Sequence, residues 1–188
     1  MSKVKWLLAI AGSAALVGGV SAQALASSGS PAAAQRHHGH ARHGSATILR
    51  FDTMTPVTGP YVGTANPVRG VSGGGLPWMI KSASGSLTRN GELRVRVRGL
   101  VLAKQAPVPP AMQGVNPIAN FEAVVSCQSI GAGNTAAVTN VITGQFPAST
   151  SGNSQIRARV HLPRPCIAPI VFVTSPGTPG AWFAATGG

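Results

Sequence analysis

The chain has 188 residues, 24 of them glycine and 15 proline, and a formal net charge of +12 from 15 Lys and Arg against 3 Asp and Glu. Asp52, Glu92 and Glu122 are its only carboxylate side chains. Three scattered acids leave little material for glycosidase-type chemistry, which needs two placed carboxylates, or for a hard-metal site, which draws on several. Frequent Gly and Pro, with no long apolar stripe of helical period after the N-terminus, point to many short strands and turns.

Residues 1–26 read as a secretory signal peptide. Lys3 and Lys5 make the positive start, Trp6 to Ala11 and Ala14 to Val17 the apolar core, and Gly18-Gly19 loosen the helix at its end. Small residues end three possible cleavage sites at Ala22, Ala24 and Ala26, and the last is preferred. An uncleaved anchor is the alternative, but the glycine-broken run is short for a membrane span. The expected product is secreted and extracellular, with no span after signal removal. It keeps thirteen basic and three acidic residues, a balance that favours anionic partners.

Residues 27–46 form a Ser/Ala/His/Arg-rich linker that cannot bury a face. His37, His38, His40 and His43 are weak candidates for a Cu(II), Ni(II) or Zn(II) site, because neutral imidazole suits all three ions. Arg36 and Arg42 repel a dication there, and no carboxylate or cysteine completes the set. The preferred reading is a solvated arm that gains charge below a pH of about 6.5. No metal or other cofactor is expected.

Residues 47–188 read as one all-β domain, an antiparallel β-sandwich, with a small β-barrel as the alternative. Ile48 to Phe51 is a first strand, and Asp52 to Gly75 a long Pro/Gly-rich connection. Gly73-Gly74-Gly75 lacks the Lys-Ser/Thr of a phosphate loop and reads as a turn. Ser84 to Arg89 and Glu92 to Arg98 flank Asn90-Gly91, which predicts a hairpin with a two-residue type I′ turn and a weak Arg89–Glu92 pair. The second arm alternates strictly: Leu93, Val95 and Val97 inward, Arg94, Arg96 and Arg98 outward. A proline-rich loop from Gln105 to Pro117 leads to a strand over Ile118 to Ser129, and another covers Ala137 to Thr143. Ile156 to Leu162 alternates again, with Arg157, Arg159 and His161 outward. Cys166 to Thr174 is the last long strand, and Ala181 to Ala184 closes a sheet.

Cys127 and Cys166 are the only cysteines, each in an apolar run. An even pair in an exported chain predicts a disulfide, which disfavours a Cys–His161 nucleophile. Ser126 lies in Val-Val-Ser-Cys-Gln-Ser, not in a Gly-x-Ser-x-Gly elbow, and nothing in the spacing assembles it with His161 and Asp52. The anion-binding candidates are Arg94, Arg96, Arg98, Arg157 and Arg159, since guanidinium forks suit phosphate and carboxylate. If both strands share a sheet, like charges stand opposite each other and an anion can relieve them. Trp78, Phe121, Phe172, Trp182 and Phe183 lie away from the basic residues and read as core, so sequence-specific nucleic-acid recognition is not expected.

The Ala/Gly/Pro-rich, Arg-over-Lys composition resembles that of exported proteins of high-GC bacteria. Leu76-Pro77-Trp78, Arg89-Asn90-Gly91-Glu92-Leu93, Val125-Ser126-Cys127, Leu162-Pro163-Arg164-Pro165-Cys166 and Trp182-Phe183-Ala184-Ala185-Thr186-Gly187 look like uncharacterised secreted proteins of actinobacterial type. The resemblance implies export and a compact domain, and supplies no catalytic residue. The chain therefore reads as a secreted, disulfide-bonded, non-catalytic module that binds anionic envelope or extracellular polymers through its arginine faces. The alternative is a protein-recognition or self-assembly module that uses an exposed strand edge, with another surface protein as partner. An enzyme would need a cleft gathering His161 with Asp52, Glu92 or Glu122.

Overall fold

The structure, a computed structural model, describes residues 45–187. The expected signal peptide and the four linker histidines lie outside the described residues. Twelve strands and three single-turn 3-10 segments make up the element order: β1 (Thr47–Phe51), β2 (Thr55–Pro56), β3 (Trp78–Met79), β4 (Ser82–Thr88), β5 (Glu92–Arg98), β6 (Val101–Leu102), β7 (Asn120–Ile130), β8 (Ala136–Ile142), β9 (Phe146–Pro147), β10 (Ser154–Arg159), β11 (Ile167–Thr174) and β12 (Trp182–Ala185). Among the described residues, no helix is long and apolar enough to cross a membrane.

Two antiparallel sheets pack together. The first has the order β1-β4-β5-β10; the second has β2-β12-β11-β7-β8, with β9 also on β7 and a small β3-β6 pair beside them. Neither sheet closes on itself, so the sandwich holds and the barrel does not. One core joins the inner faces: Leu87, Leu93, Val95, Val97 and Ile156 from the first sheet, with Phe121, Ala123, Val125, Val171 and Val173 from the second. Trp78 stacks on Phe183 with ring centroids 4.0 Å apart, and Phe121 packs against both rings.

The two central strands differ in pattern because their surroundings differ. Strand β5 alternates exposed and buried residues along its whole length, as a strand does when one face meets solvent. Strand β7 is buried continuously from Phe121 to Cys127. Its second face lies under the irregular connection after β1: Tyr61 packs on Trp182, which packs on Phe172, and the Arg69 guanidinium donates to the Ser126 carbonyl at 3.1 Å. The Pro/Gly-rich stretch is thus a cover for the second sheet, and Val57 and Val71 within it are fully buried.

The β4–β5 hairpin corrects the expected turn. The Gly91 N–H donates to the Thr88 carbonyl at 3.0 Å, and Gly91 has φ +84° while Asn90 is not among the positive-φ residues. The loop is therefore three residues, Arg89 to Gly91, with glycine in the left-handed position that such loops favour. Arg89 lies in the loop and does not face Glu92, which stands opposite Arg159 on β10. Gly91 is buried, and a Cβ there would overlap the Val160 carbonyl, so the hairpin tip sits directly against the end of β10. The Thr88 hydroxyl accepts from the Glu92 N–H at 3.0 Å and pairs with the Asn90 carboxamide, closing the loop.

The disulfide forms: Cys127 on β7 joins Cys166, immediately before β11, with Cα atoms 4.9 Å apart. Its loop leaves the second sheet through β8 and β9, crosses to the first sheet as β10, and returns at β11.

Candidate anion-binding face

Alternation puts the arginines of β5 outward, and hydrogen-bond register decides what stands beside them. Arg157 on β10 pairs directly with Arg94 on β5. On the other side of β5, Ser86, Ser84 and Ser82 of β4 stand opposite Arg94, Arg96 and Arg98. Ser86 in turn pairs with Arg50 of β1. One row across the sheet thus reads Arg50, Ser86, Arg94, Arg157, and the next reads Ser84, Arg96, Gln155. Strands lie about 4.8 Å apart and successive outward residues about 6.8 Å apart along a strand, so the cations form a two-dimensional grid.

The five expected anion-binding residues share this one face, and all are exposed. The structure adds Arg50 and Lys81. Lys81 donates its backbone N–H to the Arg98 carbonyl at 3.0 Å and borders the same surface. His161 is exposed, as its alternation predicts, but lies past the end of β10 at Arg159, where the Val160 N–H donates to the Gly91 carbonyl in continuation of the β5–β10 register. Among the described residues, the only side-chain hydrogen bond made by these cations runs from Arg157 Nη2 to Gln155 Oε1, at 3.4 Å.

Three depressions lie in series along the β5–β10 seam. The widest, about 820 Å³, is bordered by Lys81, Arg96, Arg98, Asn153 and Gln155. The middle one, about 270 Å³, lies among Ser84, Arg94, Arg96 and Arg157, and the last, about 240 Å³, among Glu92, Arg94, Arg157 and Arg159. No aromatic residue lines any of them.

The remaining chemical groups sit elsewhere. Neither cysteine is free. Ser126 is fully buried inside β7. Glu122 is buried and accepts from the Gly177 N–H at 3.2 Å. His161, Asp52 and Glu122 line none of the three depressions. Among the described residues no three His, Cys, Asp or Glu side chains gather as metal ligands.

Compared with protein-family profiles, curated proteins and solved structures, the chain matches none.

Proposed function

We propose that this domain is a non-catalytic module of an exported protein, and that it holds an anionic polymer of the cell envelope or its surroundings on the arginine face. The observation that carries this reading is the direct pairing of Arg94 with Arg157 on adjacent strands, with Arg50 in the same row. Like charges directly opposite destabilise a sheet, and an anion bridging them turns that cost into attraction through charge-assisted hydrogen bonds. The Cys127–Cys166 bond supports an oxidising, extracellular location. In cosedimentation with anionic envelope polymer, retention is expected at low salt and release as the Debye length falls from about 10 Å at 0.1 M to about 3 Å at 1 M. No retention at low salt, or retention insensitive to salt, overturns the reading.

A second reading rests on a different surface. Strand β8 forms an edge of the second sheet, and its sequence Ala-Ala-Val-Thr-Asn-Val-Ile carries no charge. Val138 of this strand, Ile130 of β7 and Ile167 of β11 are each about half exposed and occupy neighbouring register positions. Proteins usually blunt such an edge with lysine, proline or a bulge. This reading has a second copy adding its β8 antiparallel to the first. Sedimentation velocity then shows a concentration-dependent dimer that Val138→Lys abolishes; a monomer at every concentration overturns it.

A further inference from the structure

We infer that the polymer is a linear acidic glycan, a chain of sugar units bearing carboxylate or sulfate, laid along the β5–β10 seam with its bulkiest contact at the Arg98 end. This rests on the polyanion reading and narrows it. The first observation is direction. The three depressions succeed one another along the strands, from Glu92 and Arg159 at the hairpin end to Lys81 and Arg98 at the other. Arginines border all three, so an extended chain meets a cation at each step of about 6.8 Å.

The second observation is what lies between the cations. Ser84 and Gln155 share a row with Arg96 and border the depressions along the seam. Hydroxyl and carboxamide groups both donate and accept. That dual capacity matches the hydroxyls of a sugar ring, whereas an ionised polyphosphate chain only accepts and leaves the acceptor half of it unused. Stacking on single-stranded nucleic acid needs aromatic platforms, and none lines the seam.

The third observation is that the wide end is built before any ligand arrives. Asn153 Oδ1 accepts from the Gly99 N–H at 3.1 Å, and its Nδ2 donates to Ser151 Oγ at 3.0 Å. Buried Asn116 holds the same turn from beneath: its side chain donates to the Ser149 carbonyl at 2.9 Å and its N–H to the Thr150 carbonyl at 2.8 Å. Gly152 has φ +73° and packs so closely on the Leu100 backbone that a Cβ would overlap the Leu100 carbonyl. The resulting volume of about 820 Å³ falls within the range of about 300–1,000 Å³ that holds small ligands, enough for a unit larger than a phosphate group.

The test compares oligogalacturonate, dextran sulfate, polyphosphate, polyglutamate and oligo(dT), matched in charge number, by calorimetric titration at one ionic strength. At least one of the two glycans is expected to bind about tenfold or more tighter than the three other polyanions. Ser84→Ala with Gln155→Ala, both exposed, removes that preference and leaves polyphosphate affinity unchanged. Equal affinity for all five probes, or an equal loss for all five in the double variant, overturns the glycan assignment and leaves the polyanion reading standing. Binding to none of them overturns both.

Discussion

Arg94→Ser, Arg96→Ser and Arg98→Ser together are expected to lower affinity for the anionic polymer by about two orders of magnitude and leave the fold intact. Each of these side chains can offer a charge-assisted hydrogen bond, of which at least about 1 kcal/mol survives solvent competition. Three such losses of about 1.4 kcal/mol or less each multiply to between one hundred and one thousandfold. The salt dependence should flatten in step: the slope of log affinity against log salt falls by about one for each cation removed, hence by about three. Folding is spared because all three side chains are exposed on alternating positions of β5, and removing Arg94 also relieves its pairing with Arg157. Unfolding midpoints should therefore move only slightly, since surface changes away from special features usually stay within about 0.5 kcal/mol each. A control places the effect on the grid and not on net charge. Lys104→Ser with Arg164→Ser removes charge from positions that line none of the three depressions, and should change affinity by a few-fold at most. Titration calorimetry across a salt series, with circular dichroism for the fold, makes the measurement. An unchanged affinity in the triple variant, or an equal loss in the control, removes the grid as the binding surface.

The outward direction of these arginines is legible in the sequence because period-two alternation needs only the strand itself: Leu93, Val95 and Val97 are buried, as their spacing requires. The grid is not legible there, because a row across a sheet depends on strand order. Nothing local to Ile48-Leu49-Arg50-Phe51 says that Arg50 lies two strands from Arg94, and only the β1-β4-β5-β10 order puts them in line. The hairpin is an intermediate case. Asn90-Gly91 suits a two-residue turn, but that loop would set Leu87 opposite Arg94 and mix the two faces. The three-residue loop sets Leu87 opposite Leu93, Gly85 opposite Val95 and Ala83 opposite Val97, while Ser82, Ser84 and Ser86 meet the arginines. Register is fixed by keeping the apolar set on one side, so both arms read together contain the answer that the turn dipeptide alone does not. The stretch after β1 is irregular, as its prolines and glycines imply. Its role as a cover over Phe172 and Trp182 depends on contacts distant in sequence, such as Arg69 to Ser126, which no local pattern encodes.

Opening the Cys127–Cys166 bond, by Cys127→Ala with Cys166→Ala, is expected to cost about 4 kcal/mol of stability and to weaken polymer binding as well. The two cysteines are 39 residues apart, and closing a loop of that length restricts the unfolded chain by about 4 kcal/mol at 25 °C on the chain-entropy account. For a chain of this size that corresponds to a melting midpoint lower by roughly 10 °C, at about 2–4 °C per kcal/mol. The second effect comes from topology. Strand β10 is an edge strand that pairs only with β5, and it lies within the segment the bond closes. Beyond the β5 ladder it is held by buried Ile156, by the Ser154 hydroxyl donating to the Pro147 carbonyl at 2.9 Å, by the Ala148–Ser154 bridge, and by the Val160 N–H on the Gly91 carbonyl at 2.9 Å. Without the bond the β7–β11 pairing alone holds the ends of the excursion between sheets, and β10, hydrogen-bonded along one edge only, frays before the central strand β5 does. Arg157 and Arg159 then leave the grid, while Arg94, Arg96 and Arg98 stay. The double variant, measured well below its midpoint, should bind more weakly than the native chain but more tightly than the arginine triple variant. Hydrogen exchange should show the lost protection concentrated in residues 154–159. Protection lost evenly across both sheets, or affinity equal to that of the native chain, would mean that the bond stabilises the core without holding the arginine face together.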